Sequence, residues 1–343
     1  MNVSDQTSVA SAANTARLTI CRSADEWTRK FVDPKQQTVV TIGNFDGVHL
    51  GHQKILRAVH DYCVLQGNRY KAAEALIPAV LTFYPHPSRV LRPEAAPPLL
   101  MTLDQRLAAF EKLHIDAALV LEFTRDLAQL SPQSFVQRYL VQTLRARAVF
   151  VGENFRFGHK QSGDVKILRE LGEQFGFETE AVAPVVVDGV VVSSSAIREA
   201  VREGRVDDAR KLLGRPYSLA GEIRSGTGMG GKFVVPTLNL ATNQELLPKL
   251  GVYATEVILE GKCYRAATNV GVRPTFDGGS VTVESHLLDF NETRTSGPLE
   301  VRFLKRIRDE QRFPGPEALR RQILQDIQQS REYFQSRPAN ANS

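Results

Sequence analysis

Short apolar runs alternate with helical patterns through the first part of the chain. Runs rich in β-branched and apolar residues predict strands at 38–42, 79–83, 117–121 and 148–151. The segments between them have helical spacing, and two begin with start signals, the capping box Thr102-Leu103-Asp104-Gln105 and the pair Ser131-Pro132. This alternation indicates a doubly wound, Rossmann-like α/β domain whose parallel sheet is covered by helices on both faces.

The pattern changes at Pro216. From there to residue 316, strands rich in Val, Ile and Tyr are separated by glycine turns, which predicts a small antiparallel β-barrel. A closing helix from Glu317 to Phe334 has an apolar face that can pack on the barrel. We therefore expect a disordered tail at 1–16, an α/β domain at 17–214, a barrel domain at 215–336 and a second disordered tail at 337–343.

Composition narrows the functional classes. The chain has 343 residues, 42% of them hydrophobic, and a net charge of +5, which suits phosphorylated small molecules as well as nucleic acid. Cys21, Cys63 and Cys263 are far apart, so they indicate neither a disulfide framework nor a cysteine zinc site. The first sixteen residues have no apolar core, which excludes a usual signal peptide, and no segment approaches about 18 uninterrupted apolar residues, so we expect a cytoplasmic protein.

The most informative stretch, Thr41 to His52, follows the first predicted strand and reads Thr-Ile-Gly-Asn-Phe-Asp-Gly-Val-His-Leu-Gly-His. A strand, a glycine-rich loop and a helix N-terminus follow one another here, and such a terminus stabilises phosphate. His49 and His52 could both donate hydrogen bonds to a polyphosphate as charge builds on it. The alternative is a tight turn with ordinary surface or capping histidines.

Three further segments lie where predicted strands end, which is where ligands bind in sheets of this kind. They are Pro85-His86-Pro87, the loop 152–158 with Asn154 and Arg156, and the helix start Ser193-Ser194-Ser195-Ala196-Ile197-Arg198. Asn154 could bind a base or a ribose hydroxyl, and Arg156 a phosphate. Arg198 in a first helical turn opposes the helix dipole unless an anion lies beside it. Each segment also has a structural alternative: a loop held between two prolines for His86, a solvated polar loop for residues 152–158, and a plain N-cap for the serines.

The two halves of the chain resemble two enzyme families. Residues 41–52 resemble the ATP-binding signature of the His-x-Gly-His nucleotidyltransferases, and Gly-x-Phe-Asp-Gly resembles their flavin branch. The barrel motifs, among them Pro236-Thr237-Leu238-Asn239 and Glu284-Ser285-His286, resemble riboflavin kinase. Over about residues 17 to 336 the chain resembles the prokaryotic FAD synthetase family, which combines both activities.

The resemblance implies phosphorylation of riboflavin to FMN by ATP, followed by adenylylation of FMN to FAD and pyrophosphate. It implies Mg²⁺ as cofactor and riboflavin, FMN and ATP as small-molecule partners. Nucleic acid and membrane are not expected as partners, and the oligomeric state stays open.

The family motifs also imply residue roles. In adenylyl transfer, His49 and His52 would be catalytic, and ATP would contact Gly43, Phe45, Asp46, Gly51, Asn154, Arg156, Ser194, Ser195 and Arg198. Flavin would contact Pro85, His86, Pro87, Tyr253 and Arg273. In the kinase, Glu284 would be the general base, and ATP would contact Gly226, Gly228, Gly230, Lys232, Thr237 and Asn239, with Thr237 and Asn239 as Mg²⁺ ligands.

One segment departs from the kinase pattern. Val234-Val235 stands where the family has Gly-Phe before Pro-Thr-x-Asn, so we expect altered loop geometry that affects flavin affinity and rate more than reaction type. Two other functions remain alternatives. One is a His-x-Gly-His nucleotidyltransferase of a different phosphorylated substrate. The other is an RNA-binding barrel, although basic residues are scattered and no aromatic ladder is present.

Overall fold

Six parallel strands of the described part form one sheet. The structure is a computed structural model that describes residues 17–67, 76–224, 236–273, 280–290, 292 and 294–336, so both predicted tails lie outside the described residues. The strands are β1 (Thr19–Cys21), β2 (Thr38–Ile42), β3 (Ile77–Tyr84), β4 (Ala117–Glu122), β5 (Ala146–Gly152) and β6 (Glu178–Val182). Their order is β1-β4-β3-β2-β5-β6. The predicted doubly wound α/β domain is confirmed.

Helices cover both faces of this sheet. They are α1 (Ala24–Lys30), α2 (Leu50–Gly67), α3 (Pro87–Leu91), α4 (Leu103–Lys112), α5 (Arg125–Gln129), α6 (Pro132–Phe135) with its π-helical continuation Val136–Thr143, and α7 (Val165–Phe175). Val39 and Val40 point to opposite faces of β2 and are both fully buried, one in each of two apolar clusters. A strand buried on both faces reads as a continuous apolar run, which is why the sequence reveals β2 so clearly.

Two edge strands were not predicted from the sequence. β1 has only three residues, and β6 reads Glu-Thr-Glu-Ala-Val with partly exposed positions, so neither gives an apolar run. The strand predicted to lead into the helix at Ser193 is present as β8 (Val190–Val191), but it pairs with β7 (Val186–Val187) in a small hairpin outside the main sheet.

The second part of the chain is a closed antiparallel barrel, as predicted. Its strands are β9 (Tyr217–Arg224), β10 (Leu238–Ala241), β11 (Gly251–Leu259), β12 (Lys262–Arg273), β13 (Ser280–Leu287) and β14 (Pro298–Asp309), and they pair in the order β10-β13-β12-β11-β14-β9. The closing helix α10 (Pro316–Gln335) packs outside the barrel, where Phe334 and Ile327 meet Leu304.

Two helices before the barrel share its core. They are α8 (Ser194–Arg202) and α9 (Val206–Leu213). Ile197 and Leu212 belong to the same buried apolar cluster as Tyr217 and Phe303 of the barrel. The change of sequence pattern at Pro216 therefore does not coincide with a break in the apolar core, which continues from α8 and α9 into the barrel. The domain boundary predicted at residue 214 remains a prediction.

Candidate active sites

The loop between β2 and α2 lies at the centre of the sheet edge. Strands β3 and β4 lie on one side of β2, and β5 and β6 lie on the other, so the connection after β2 and the connection after β5 leave in opposite directions. The carboxyl ends of β2 and β5 therefore flank a crevice, the usual ligand position in an open α/β sheet. His49 and His52 follow directly from the carboxyl end of β2.

The two histidine rings stack on each other. Their centroids are 3.6 Å apart with an interplanar angle of 17°. A Cβ at Gly51 would meet the His49 ring at 3.2 Å, so glycine between the histidines permits this close approach. The backbone N–H of His52 donates to His49 Nδ1 at 3.3 Å. In the neutral ring, the Nε2–H of His49 is then the remaining donor.

Both histidines are held in the neutral form. Burial lowers the pKa of His49 from 6.5 to about 4, and the positive charge of Arg215 adds to this effect. Burial also lowers the pKa of His52 well below its ordinary value, with contributions from His49, Arg106 and Arg215. Phe45 packs its ring edge to face against His52, with centroids 5.2 Å apart. At neutral pH the pair offers N–H donors without carrying charge.

Asp46 and Arg198 form a buried ion pair behind the loop. Arg198 Nη2 donates to Asp46 Oδ2 at 2.6 Å, and their side chains are 8% and 5% exposed. Asp46 also accepts the backbone N–H of Leu100 at 3.0 Å, and Ser194 Oγ donates to the backbone carbonyl of Asp46 at 2.8 Å. The anion beside Arg198 that the sequence required is thus the Asp46 carboxylate. Whether Arg198 also contacts phosphate stays a prediction.

The three serines before Arg198 make different contacts. Ser193 is the N-cap of α8, and its hydroxyl accepts the backbone N–H of Ala196 at 3.2 Å. Ser194 supports the Asp46 backbone, and Ser195 is exposed at the helix start. Ser193 satisfies the capping requirement, and whether the exposed Ser195 hydroxyl binds a ligand stays a prediction.

Arg106 is a site residue that the sequence analysis missed. It is 5% exposed and donates to the backbone carbonyl of Asn44, to Thr82 Oγ1 at 3.4 Å and to the carbonyl of Phe83 at 3.4 Å. It therefore joins the loop after β2 to the end of β3. The sequence does contain a sign of this burial. Arg106 lies on the same face of α4 as Leu103 and Phe110, so it is a charged residue within an otherwise apolar face.

His86 lies at the same edge, where β3 ends between Pro85 and Pro87. It is the N-cap of α3, and its Nδ1 accepts the backbone N–H of Ser88 at 3.2 Å. Burial lowers the pKa of His86 to about 4, aided by Arg106 and Arg198. Since Nδ1 accepts this hydrogen bond, the neutral ring carries its proton on Nε2.

Asn154 and Arg156 follow β5 on the other side of β2. Both are exposed, and Arg156 pairs with Asp164 at 3.0 Å while 54% of its side chain remains accessible. The four segments that the sequence singled out therefore follow β2, β3, β5 and the hairpin before α8. The sheet brings the first three to one edge, and the Ser194 hydrogen bond ties the fourth to them.

A second candidate site lies between the barrel and α10. It is a cavity of about 330 Å³ whose lining includes Thr237, Asn269, Glu284, His286, Arg308, Asp326 and Ile327. Asn239 on β10 lies directly opposite Glu284 on β13, and Asn269 on β12 lies opposite Glu284 on its other side. Residues opposite each other share a face of the sheet, so a carboxylate, two amides and the Thr237 hydroxyl converge here.

An ion pair that the sequence did not reveal fixes α10 over this cavity. Arg308 on β14 donates to both carboxylate oxygens of Asp326 on α10, at 2.8 and 2.7 Å, and Gln322 donates to the same carboxylate at 2.9 Å. Asp326 is 4% exposed. The predicted apolar face of α10 thus packs on the barrel through Phe334 and lines the cavity through Ile327.

Not every predicted barrel residue lines this cavity. Tyr253 is fully buried in the barrel core, where its ring packs against Phe303 and its hydroxyl donates to the carbonyl of Lys249. Its neighbour Val252 faces the cavity instead. The Arg273 side chain lies outside the described residues, as do Gly226, Gly228, Gly230, Lys232 and the Val234-Val235 departure.

Comparison with known proteins covers both parts of the chain. The FAD synthetase family model matches residues 32–196, and the riboflavin kinase family model matches residues 213–334. A bifunctional riboflavin kinase/FMN adenylyltransferase of Haemophilus influenzae is 35% identical over 88% of this chain and 96% of its own. One of the same description from Pseudomonas fluorescens is 38% identical over 85% of this chain and 92% of its own.

A solved structure matches nearly the whole chain. The crystal structure titled macrolide-efflux protein from Streptococcus pneumoniae is 26% identical, with a TM-score of 0.78 over 92% of this chain and 99% of that one. Among the residues that the structure describes here, none of the helices has the length and apolar character needed to cross a membrane.

Proposed function

Since the chain belongs to the family of bifunctional riboflavin kinase/FMN adenylyltransferases, we propose that its barrel phosphorylates riboflavin to FMN and that its α/β domain converts FMN to FAD. The observation that carries this proposal is the presence of two separate polar sites in one chain. One is the neutral His49–His52 stack at the end of the central strand. The other is Glu284 set between Asn239 and Asn269 beside a cavity.

In the α/β domain, the FMN phosphate attacks the α-phosphorus of ATP, and pyrophosphate leaves. A phosphate is already an adequate nucleophile, so the step needs positioning and charge stabilisation more than a base. The His49 Nε2–H can donate to phosphate oxygens that gain charge in the transition state. A charged imidazolium would form an ion pair with the phosphates already in the ground state, and such a pair would stabilise the ground state as well as the transition state; the neutral ring avoids this. The N-terminus of α2 directs further N–H donors at the phosphate chain.

In the barrel, a ribityl hydroxyl of riboflavin attacks the γ-phosphorus of ATP. The bond between the γ-phosphorus and the bridging oxygen breaks, and ADP leaves. Glu284 accepts the hydroxyl proton, and the cavity beside it takes the flavin ring. Thr237 and Asn239 offer the hard oxygen ligands that Mg²⁺ prefers, and they share the face of Glu284. These two residues would hold Mg²⁺ together with ATP oxygens. When bound, Mg²⁺ neutralises charge on the phosphates.

The remaining roles follow from this assignment. We propose that Asn154, Arg156, Ser195 and Arg198 bind ATP for adenylyl transfer and that His86 borders the flavin. Riboflavin, FMN and ATP are the partners, with neither nucleic acid nor membrane required, and the cytoplasm is the proposed location. The two alternatives, another nucleotidyltransferase substrate and an RNA-binding barrel, are not favoured because both halves match the flavin enzymes in family model and in relatives.

The test is to incubate the purified chain with riboflavin and MgATP and to separate the flavins by chromatography. Wild type should form FMN and then FAD. We expect His52→Ala to lower FAD formation by roughly 10²–10³-fold with FMN formation intact, as for loss of one preorganised donor. Glu284→Gln should lower FMN formation by roughly 10²–10⁴-fold while added FMN is still converted to FAD. Loss of both activities in both variants would contradict the assignment of one site to each reaction.

A further inference from the structure

A residue at the junction between the α/β domain and the barrel, Arg215, forms hydrogen bonds with the turn that precedes His49. Arg215 follows α9 and precedes the first barrel strand. Its Nη2 donates to the backbone carbonyl of Gly47 at 2.7 Å, and its Nη1 donates to the carbonyl of Val48 at 3.0 Å. One planar guanidinium therefore binds the two carbonyls immediately before the catalytic histidine, 167 and 168 residues away in sequence.

A second side chain reinforces the same connection. Gln53, in the first turn of α2, donates through Nε2 to the Val48 carbonyl at 2.9 Å and to the Leu213 carbonyl at 2.8 Å. The Val48 carbonyl thus accepts from Arg215 and from Gln53, and the Leu213 carbonyl at the end of α9 joins the same network. One network of hydrogen bonds therefore connects the histidine loop, helix α2 and the segment that enters the barrel.

The backbone of this turn needs such support. Phe45 has φ +51°, and the β-branched Val48 has φ +38°, a region that β-branched residues rarely adopt. Gly47 between them has φ +89°, and a Cβ there would meet Leu100 at 2.7 Å. Conformations of this kind persist only where the surroundings hold them, and they cluster at functional sites.

Behind the turn, the surroundings are open. A cavity of about 530 Å³ separates the turn from the barrel, and its lining includes Val48, Arg215, Glu300 and Arg302. Packed side chains therefore do not fill this side of the turn. The Arg215 hydrogen bonds cross from the barrel entry to the turn at the edge of that space.

We propose that Arg215 is a positioning residue for adenylyl transfer. It holds the strained turn at Gly47 and Val48 so that His49 and His52 keep their stacked geometry, and it thereby makes adenylyl transfer depend on the entry segment of the kinase barrel. The inference rests on the proposed adenylyltransferase function of the histidine loop. Arg215 itself contacts protein carbonyls, so its effect on the reaction passes through the loop.

The test uses the full chain with Arg215→Ala and Arg215→Lys. We expect kcat for FAD formation from FMN to fall by roughly 10–10²-fold in both, since displacement of reacting groups by about 1 Å has effects of this size. Lysine keeps the positive charge but cannot donate to both carbonyls from one planar group, so Arg215→Lys should recover little of the lost FAD formation. KM for FMN and riboflavin kinase activity should stay close to wild type. Hydrogen exchange should accelerate in the peptide spanning 43–52 and not in the barrel.

Arg302→Ala is the matched control. Arg302 lines the same cavity and pairs with Glu300 at 2.9 Å. Its removal should leave FAD formation unchanged. If Arg215→Ala does not fold, Gln53→Ala removes the second donor to Val48, and the same selective loss is expected there, though smaller.

The outcomes separate this inference from the function on which it rests. A wild-type chain that makes no FAD would reject the adenylyltransferase assignment. A wild-type chain that makes FAD, with Arg215→Ala folded and equally fast, would overturn the positioning role. Equal loss of both activities, with hydrogen exchange faster throughout the chain, would overturn it as well, because Arg215 would then be a general stability residue.

Discussion

Replacement of Asp46 by asparagine tests the buried ion pair behind the histidine loop. The Asp46 and Arg198 side chains are 5% and 8% exposed, and their charged atoms are 2.6 Å apart. Asparagine keeps the size of the side chain and one oxygen that can accept the Leu100 N–H. It removes the negative charge and leaves the Arg198 guanidinium buried without an anion.

The expected cost follows from burial. Removing one partner of a buried ion pair costs about 3–5 kcal/mol, because the remaining charge stays desolvated. Removing both charges, in the double variant Asp46→Asn/Arg198→Met, should cost less than the single change, since no charge is left unpaired. FAD formation should be low in both variants, because both lose the ion pair by which Arg198 on α8 contacts Asp46 in the histidine loop.

Denaturant unfolding followed by tryptophan fluorescence measures this cost. Trp27 is the only tryptophan of the chain and is buried in α1 against the sheet, so its emission reports on the α/β domain. Glu170→Gln is the control, because the Lys166–Glu170 pair is 3.8 Å long and highly exposed. We expect a change within about 0.5 kcal/mol there.

Two results would refute this reasoning. One is an Asp46→Asn protein whose free energy of unfolding lies within about 1 kcal/mol of wild type, well below the cost expected for a stranded buried charge. The other is a double variant whose loss equals the sum of the losses measured for Asp46→Asn alone and for Arg198→Met alone, since that would mean that the charges do not interact. Either result would also weaken the assignment of Asp46 as the anion that Arg198 requires.

Three further predictions concern other parts of the molecule. Burial lowers the pKa of His49 from 6.5 to about 4, so only the unfolded chain binds that proton between these values, and the free energy of unfolding should fall by up to about 3 kcal/mol from pH 6.5 to 4. Thermal melts should show a shallower dependence in His49→Gln, and an unchanged slope would contradict the assignment. A fragment from Ser193 to Ser343 should melt well above one from Gly214 to Ser343, because only the longer one keeps α8 and α9 in the shared core; equal melting temperatures would show that these helices contribute little. Asp326→Ala should raise KM for riboflavin while FMN is still adenylylated, because Arg308 then no longer fixes α10 over the cavity; an unchanged KM would separate this ion pair from flavin binding.

Local features were visible in the sequence. The capping box at Thr102 and Gln105 is present with both of its hydrogen bonds, since its members lie three residues apart. The histidine loop was also placed correctly at the end of a strand, because its glycines and the strand before it are contiguous. Such features depend on short-range geometry that one stretch of sequence contains.

Other features depend on partners that are remote in the chain. Arg215 bonds to carbonyls of the histidine loop, and nothing in its own neighbourhood indicates them. The orientation of Tyr253 was not predictable for another reason. Val252 and Tyr253 are 5% and 0% exposed, because α10 covers the outer face of the barrel, so alternation could not tell core from cavity.

The core shared by α8, α9 and the barrel has a consequence for how the protein responds to heat. Ser194 and Arg198 belong to the first turns of α8, while Ile197 on the same helix is buried with Phe303 of the barrel. Melting of the barrel therefore removes the support of a helix that contacts the histidine loop. Calorimetry should show one endotherm in which both activities disappear together, so that the supply of both flavin nucleotides ends at a single temperature.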